Sequence, residues 1–141
     1  MIGKVLGLDL GEKTLGIACS DIMGIIATGI ETFRFQDGQY EEALNRVIYF
    51  VNKDNIKEIA LGLPLHMSGD ESDHSRLARR FKEMIEEKIK DIKVVLVDER
   101  WTTKQANRVL LQADLSRAKR KKVIDKMAAT VILETYLRMR G

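Results

Sequence analysis

An α/β fold, with a five-stranded mixed sheet in the element order βββαβαβα and helices on both faces, is what this sequence predicts. Three observations lead there. Residues 1–35 hold three short apolar runs separated by turn signals, which read as consecutive antiparallel strands. From residue 40 onward helical and strand patterns alternate, and the parallel strands such βα units build need crossovers that cover the sheet. The chain has 141 residues, 45% of them hydrophobic and 32% charged, which suits one globular domain spanning residues 1–141 that needs neither disulfide nor structural metal to hold a core.

The elements follow in order. Ile2 to Leu10 is an apolar run, Gly11-Glu12-Lys13-Thr14 is a turn, and Leu15 to Ser20 completes a β-hairpin. A third strand falls within Gly24 to Phe35. After the polar turn Gln36-Asp37-Gly38, Tyr40, Ala43, Leu44, Val47, Ile48 and Val51 recur at helical spacing. Ile56 to Leu63 is a strand ending in Gly62-Leu63-Pro64. The polar loop from His66 to Asp73 leads into a helix with Leu77, Ala78, Phe81, Met84, Ile85 and Ile89 on one stripe. Ile92 to Val97 is a buried strand. Thr102 with Gln105 has capping-box spacing and opens a helix carrying Ala106, Val109 and Leu110, broken near Asp114 from a last helix that runs from about Ser116. This order matches the ribonuclease H-like fold.

Charge and cysteine content narrow the function. The lone Cys19 rules out an intramolecular disulfide and CxxC zinc sites, fits a reducing cytosol, and reads as a buried thiol in a strand. No apolar run is long enough to span a membrane, and the start lacks a signal-peptide pattern, so the expected location is the cytoplasm. The net charge of +3 hides an uneven distribution: residues 1–98 sum to −4 and residues 99–141 to +7. The densest stretch, Arg117, Lys119, Arg120, Lys121 and Lys122 within six residues, is either a polyanion-binding patch or a solvated helix face.

Three acids stand out. Alternation along the first strand puts Leu6, Leu8 and Leu10 on one face and Val5, Gly7 and Asp9 on the other, and a carboxylate on a covered face needs a cation or a donor. Asp98-Glu99 ends a later strand. The two point to opposite faces, so one of them shares a face with Asp9; Glu99 is the first choice and Asp98 the second. Asp125 lies on the border of the apolar face of the last helix, near Ala128 and Ala129, where pairing with Lys121 or Lys122 is the alternative. If the fold brings these elements together, the oxygens of Asp9, Glu99 and Asp125 suit Mg²⁺ or Mn²⁺ and two-metal hydrolysis of a phosphodiester. His66 and His74 are expected to face solvent. Gly11-Glu12-Lys13-Thr14 is not a P-loop, because Glu12 intervenes and no upstream glycine stands at the needed spacing.

Gly7-Leu8-Asp9-Leu10-Gly11, Gly16-Ile17-Ala18-Cys19-Ser20-Asp21, Gly62-Leu63-Pro64-Leu65, Asp98-Glu99-Arg100 with Thr102-Thr103, and Asp125 with Ala128-Ala129 together resemble the YqgF family of bacterial proteins. The resemblance implies a ribonuclease H-like fold related to RuvC-type Holliday junction resolvases and a nuclease in maturation of the 5′ end of 16S ribosomal RNA. Members have also been called Holliday junction resolvases. It implies Asp9, Glu99 and Asp125 as the catalytic, metal-binding set, with Arg100, Thr102 and Thr103 contacting substrate phosphates; Thr102 has the capping role as its alternative. The partner would be precursor ribosomal RNA or branched DNA, with ribosomal particles as a further setting and a monomer or homodimer as the acting species. A non-catalytic RNA-binding assembly factor is the rival class.

Overall fold

The computed structural model describes residues 3–100 and 117–140, with side chains over 3–100 and 127–140. The strands are β1 (Val5–Leu10), β2 (Thr14–Ser20), β3 (Ala27–Arg34), β4 (Glu58–Leu63) and β5 (Lys93–Asp98); the helices are α1 (Tyr40–Asp54), α2 (Asp73–Lys88) and α3 (Arg117–Arg140). The strand order is β3-β2-β1-β4-β5, antiparallel across β3, β2 and β1 and parallel across β1, β4 and β5. The predicted capping box at Thr102 and the break near Asp114 lie outside the described residues.

Two apolar layers sandwich the sheet, and the period-two alternation of β1 decides which residue enters which. Leu6, Leu8 and Leu10 join Leu44, Val47, Phe81 and Ile85 beneath α1 and α2. Val5 joins Ala129, Ile132, Leu133 and Tyr136 of α3 on the other face. Helices therefore cover both faces, as predicted. β5 departs from expectation: it is an edge strand, and its burial is only partial, with Lys93 exposed and Val95 and Leu96 half-buried. Cys19 is buried in β2, and that burial pushes its thiol pKa up. His66 and His74 are exposed; His74 sits in the first turn of α2, 3.4 Å from Glu12 Oε1.

α3 runs antiparallel to β1 and lies close against it because β1 offers no side chain there. A Cβ built on Gly7 would stand 2.7 Å from Leu133 Cβ and 2.9 Å from the Ala129 carbonyl oxygen. The far end of the helix is pinned by the buried Tyr136, whose hydroxyl donates to Glu58 Oε2, and by Arg140, which donates to Glu58 Oε1 at 3.1 Å. Burial and the Glu58 carboxylate push the Tyr136 phenol up to about 12. Gly7→Ala is expected to force the helix backbone outward and cost about 1–3 kcal/mol, read as a lower urea midpoint with an unchanged m-value.

Candidate active site

Asp9 stands near the end of β1, on the face turned to α3. Its partner comes from two strands away. The Glu99 amide donates to the Leu63 carbonyl at 3.1 Å, so strand geometry continues one residue past β5 and Glu99 falls on the same face as Val97, beneath α3. Between them runs β4, and β1 and β5 are therefore roughly 9.5 Å apart. The residue of β4 at that level is Gly62. A Cβ there would lie 2.7 Å from Glu99 Cδ and 2.8 Å from Glu99 Oε2, so the missing side chain is what lets the Glu99 carboxyl lie across β4 toward Asp9.

The pair is electrostatically strained. Glu99 is 8% exposed, and burial first, then the Asp9 charge and a hydrogen bond to Asp9, raise its pKa from 4.5 to about 9. Burial and the neighbouring Asp9 carboxylate thus favour the protonated form of Glu99. A divalent cation suits this arrangement: the donors are hard oxygens, Gly62 makes room for one of them, and a positive charge relieves the repulsion that otherwise retains a proton.

Asp98 turns away from this pair. Its carboxylate accepts from the Arg100 amide at 3.0 Å and from Arg100 Nε at 2.8 Å, with Arg100 Nη2 at 2.6 Å, and this guanidinium holds its pKa below the usual range. Of the two adjacent acids, Glu99 is the one brought to Asp9. The Arg100 fork is occupied by Asp98, and its Nη1 reaches the Met67 carbonyl at 3.4 Å. Arg100 thereby ties the end of β5 to the loop 64–72. That loop is braced again where Ser72 Oγ donates to the Pro64 carbonyl and Ser72 with Ser75 forms a capping box opening α2.

Thr102 and Thr103 lie outside the described residues, as do the side chains of Asp125, Arg117, Lys119, Arg120, Lys121 and Lys122. The backbone of α3 still fixes a level for residue 125. Ala129 packs at Gly7; residue 125 is one turn, about 6 Å, N-terminal to it along the helix, and Asp9 is two residues beyond Gly7 along an antiparallel strand. Position 125 and Asp9 are therefore at the same end of the sheet. The cationic stretch opens the helix at that end too. The residue that the sequence reading used only as part of a motif is Gly62; its signal, a glycine inside an apolar strand, marks a close approach.

Comparison with known proteins gives the family and the fold. Residues 3–139 match the family described as RuvX, Holliday junction resolvase. A protein of Staphylococcus haemolyticus is 42% identical over 134 residues, covering 95% of this chain and 94% of that one, and one of Bacillus licheniformis is 47% identical, covering 95% and 96%. Both carry the name "Putative pre-16S rRNA nuclease". Among solved structures, RuvC of T. thermophilus in complex with a Holliday junction substrate superposes with a TM-score of 0.60 at 16% identity, covering 97% of this chain and 96% of that one. The Holliday junction resolvase of fowlpox virus gives 0.58 at 15%, covering 98% and 99%. The structural likeness places the fold with RuvC-like, ribonuclease H-like proteins, and the match along nearly the whole sequence means that the chain belongs to the RuvX (YqgF) family.

Proposed function

We propose that this chain, acting as one domain in the cytoplasm, is a divalent-metal-dependent nuclease that hydrolyses phosphodiester bonds of precursor 16S ribosomal RNA during maturation of its 5′ end. The observation that carries the reading is the convergence of Asp9 and Glu99 over Gly62, a half-buried and a buried carboxyl group held together against their repulsion. Asp9, Glu99 and Asp125 hold the metal in this reading, and Glu99 releases its proton as the metal enters. Mg²⁺ or Mn²⁺ bound there supplies Lewis-acid polarisation of the phosphoryl oxygen and activation of the attacking water. Arg100, with Asp98, fixes the rim formed by the loop 64–72, and in this reading Arg100, Thr102 and Thr103 contact the substrate phosphates. Arg117, Lys119, Arg120, Lys121 and Lys122 hold the backbone phosphates. The choice of RNA rests on the names of relatives 42–47% identical to this chain.

The family's own description favours a second reading, in which the substrate is a four-way DNA junction. Incubating the chain with precursor 16S RNA and with a four-way junction, each with Mg²⁺, with Mn²⁺ and with chelator, separates the two. Metal-dependent cutting at the 5′ end of the RNA, absent in Asp9→Asn, is the expected result. Cutting of the junction alone moves the assignment to a resolvase, and cutting of neither leaves the assembly-factor class. Gly62→Ala is expected to push the Glu99 carboxyl out of place and lower the cleavage rate by up to about a hundredfold, measured by single-turnover kinetics.

A further inference from the structure

The end of the sheet opposite Asp9 and Glu99 displays an apolar surface that the nuclease reading does not use. The turn between β2 and β3 and the start of β3 expose Ile22 (63%), Met23 (56%), Ile25 (69%), Ile26 (63%) and Ile30 (42%). Ile26 borders two neighbouring concavities, one shared with Ile22, Met23 and Ile30, the other a groove of about 510 Å³ between the turn and the last turns of α3. The patch is thus continuous. Each such side chain offers roughly 60–120 Å² of apolar surface. Five of them reach the size of the largest patch on an ordinary monomer, which is commonly functional.

The turn is built to hold these side chains out. Asp21 Oδ1 accepts from the Ile25 amide at 2.7 Å and the Ile26 amide at 3.0 Å, the Asp21 amide donates to the Ile26 carbonyl at 3.1 Å, and the Gly24 amide donates to the Asp21 carbonyl at 3.0 Å. Gly24 takes φ +69°, and the Arg140 guanidinium fills the space a side chain at 24 would need. Arg140 is in turn anchored to Glu58. Apolar side chains fixed outward on a braced turn are pre-organised for binding, because little ordering remains to oppose association.

We propose that this surface joins two copies of the chain about a two-fold axis. The rim of the groove identifies the occupant. Glu134 and Arg138 flank it one helical turn apart, both exposed, and neither has an ion-pair partner among the described residues. With the two α3 C-terminal segments antiparallel across the axis, each Glu134 faces the partner subunit's Arg138, and the protruding Ile25 and Ile26 sit beside the groove that receives their counterparts. Knob, groove and opposite charges on one patch are what an isologous interface requires. The five apolar side chains with their polar rim approach the ~800 Å² that each partner contributes to an interface of standard size. The cationic stretch opens α3 toward its other end, roughly 18–31 Å along the helix from Glu134 and Arg138, so its repulsion is more than a Debye length from the contact. The two acidic pairs then face away from each other, and each cuts independently.

Sedimentation of the full chain across micromolar concentrations tests this. The expected species is two chains. Ile25→Glu with Ile26→Glu is expected to raise the dissociation constant at least about thirtyfold, as loss of a central apolar anchor does, with far-UV circular dichroism and the cleavage rate per chain unchanged. Glu134→Arg alone and Arg138→Glu alone weaken the pair, and the two together restore it. These two positions are exposed on a helix, so the variants keep the fold even if the isoleucine variant does not. A chain that sediments singly at all concentrations, a pair that survives the isoleucine changes, or a double charge swap that fails to restore association overturns the proposal.

Discussion

Asp9→Asn is expected to lower metal-dependent cleavage by more than about a hundredfold, beyond what loss of an outer-shell partner costs, and at the same time to raise the thermal midpoint of the metal-free protein. Both effects come from one repulsion. In the free protein Glu99 is buried beside Asp9, and removing the Asp9 charge lets the pair relax. The pH dependence has a definite sign. Glu99 has a folded pKa raised from 4.5 to about 9, so its contribution is most favourable below the unfolded value and is lost as pH rises through the folded one. Stability of the wild-type metal-free protein thus falls with rising pH across that window. Burial, the larger cause, persists in Asp9→Asn, while the charge and the hydrogen bond from Asp9 do not, so the variant's slope is shallower. Mg²⁺ should raise the wild-type midpoint and leave that of Asp9→Asn nearly unmoved. Thermal melts at several pH values, with and without Mg²⁺, check this. Equal slopes and equal Mg²⁺ shifts in both proteins would remove Asp9 from the metal site.

Much of this pair was legible before the fold was known, and the reason is local. Alternation in β1 alone puts Gly7 and Asp9 on the face away from Leu6 and Leu8, and the same rule applied past β5 separates Asp98 from Glu99. What alternation does not contain is strand order. Nothing in the spacing of residues 5–10 and 93–98 says that β4 lies between them, so the demand placed on Gly62 becomes visible only in the sheet. Arg100 illustrates a second limit: its motif implies phosphate contact, and only the structure shows that Asp98, the neighbour two residues away, holds its guanidinium. The isoleucine-rich stretch 22–30 shows a third. The sequence places a third strand within Gly24 to Phe35 but carries no sign of its exposure: β3 is the sheet edge, and the Asp21 turn carries the side chains past the sheet's end.

Neutralising Lys119, Arg120, Lys121 and Lys122 is expected to separate binding from chemistry in the opposite sense to Asp9→Asn. If the four contact phosphates of single-stranded RNA, their loss makes the slope of log affinity against log salt shallower by up to about 3. Cleavage of bound substrate should persist, because the Asp9–Glu99 pair is untouched. The helix itself supplies an independent readout. The first turn of α3 has no acidic residue, and five of its first six positions are cationic, so the charges oppose the positive end of the helix dipole at roughly 0.3–1 kcal/mol each. A cluster kept there for folding would lose stability when neutralised; one kept for a polyanion should gain it, and RNA should raise the wild-type melting midpoint more than that of the variant. Anisotropy titrations over a range of KCl, paired with melts of free and RNA-bound protein, measure both. An unchanged salt slope together with a lowered midpoint would show the cluster to be a solvated helix face, and would leave RNA binding to the residues around Asp9 and Glu99.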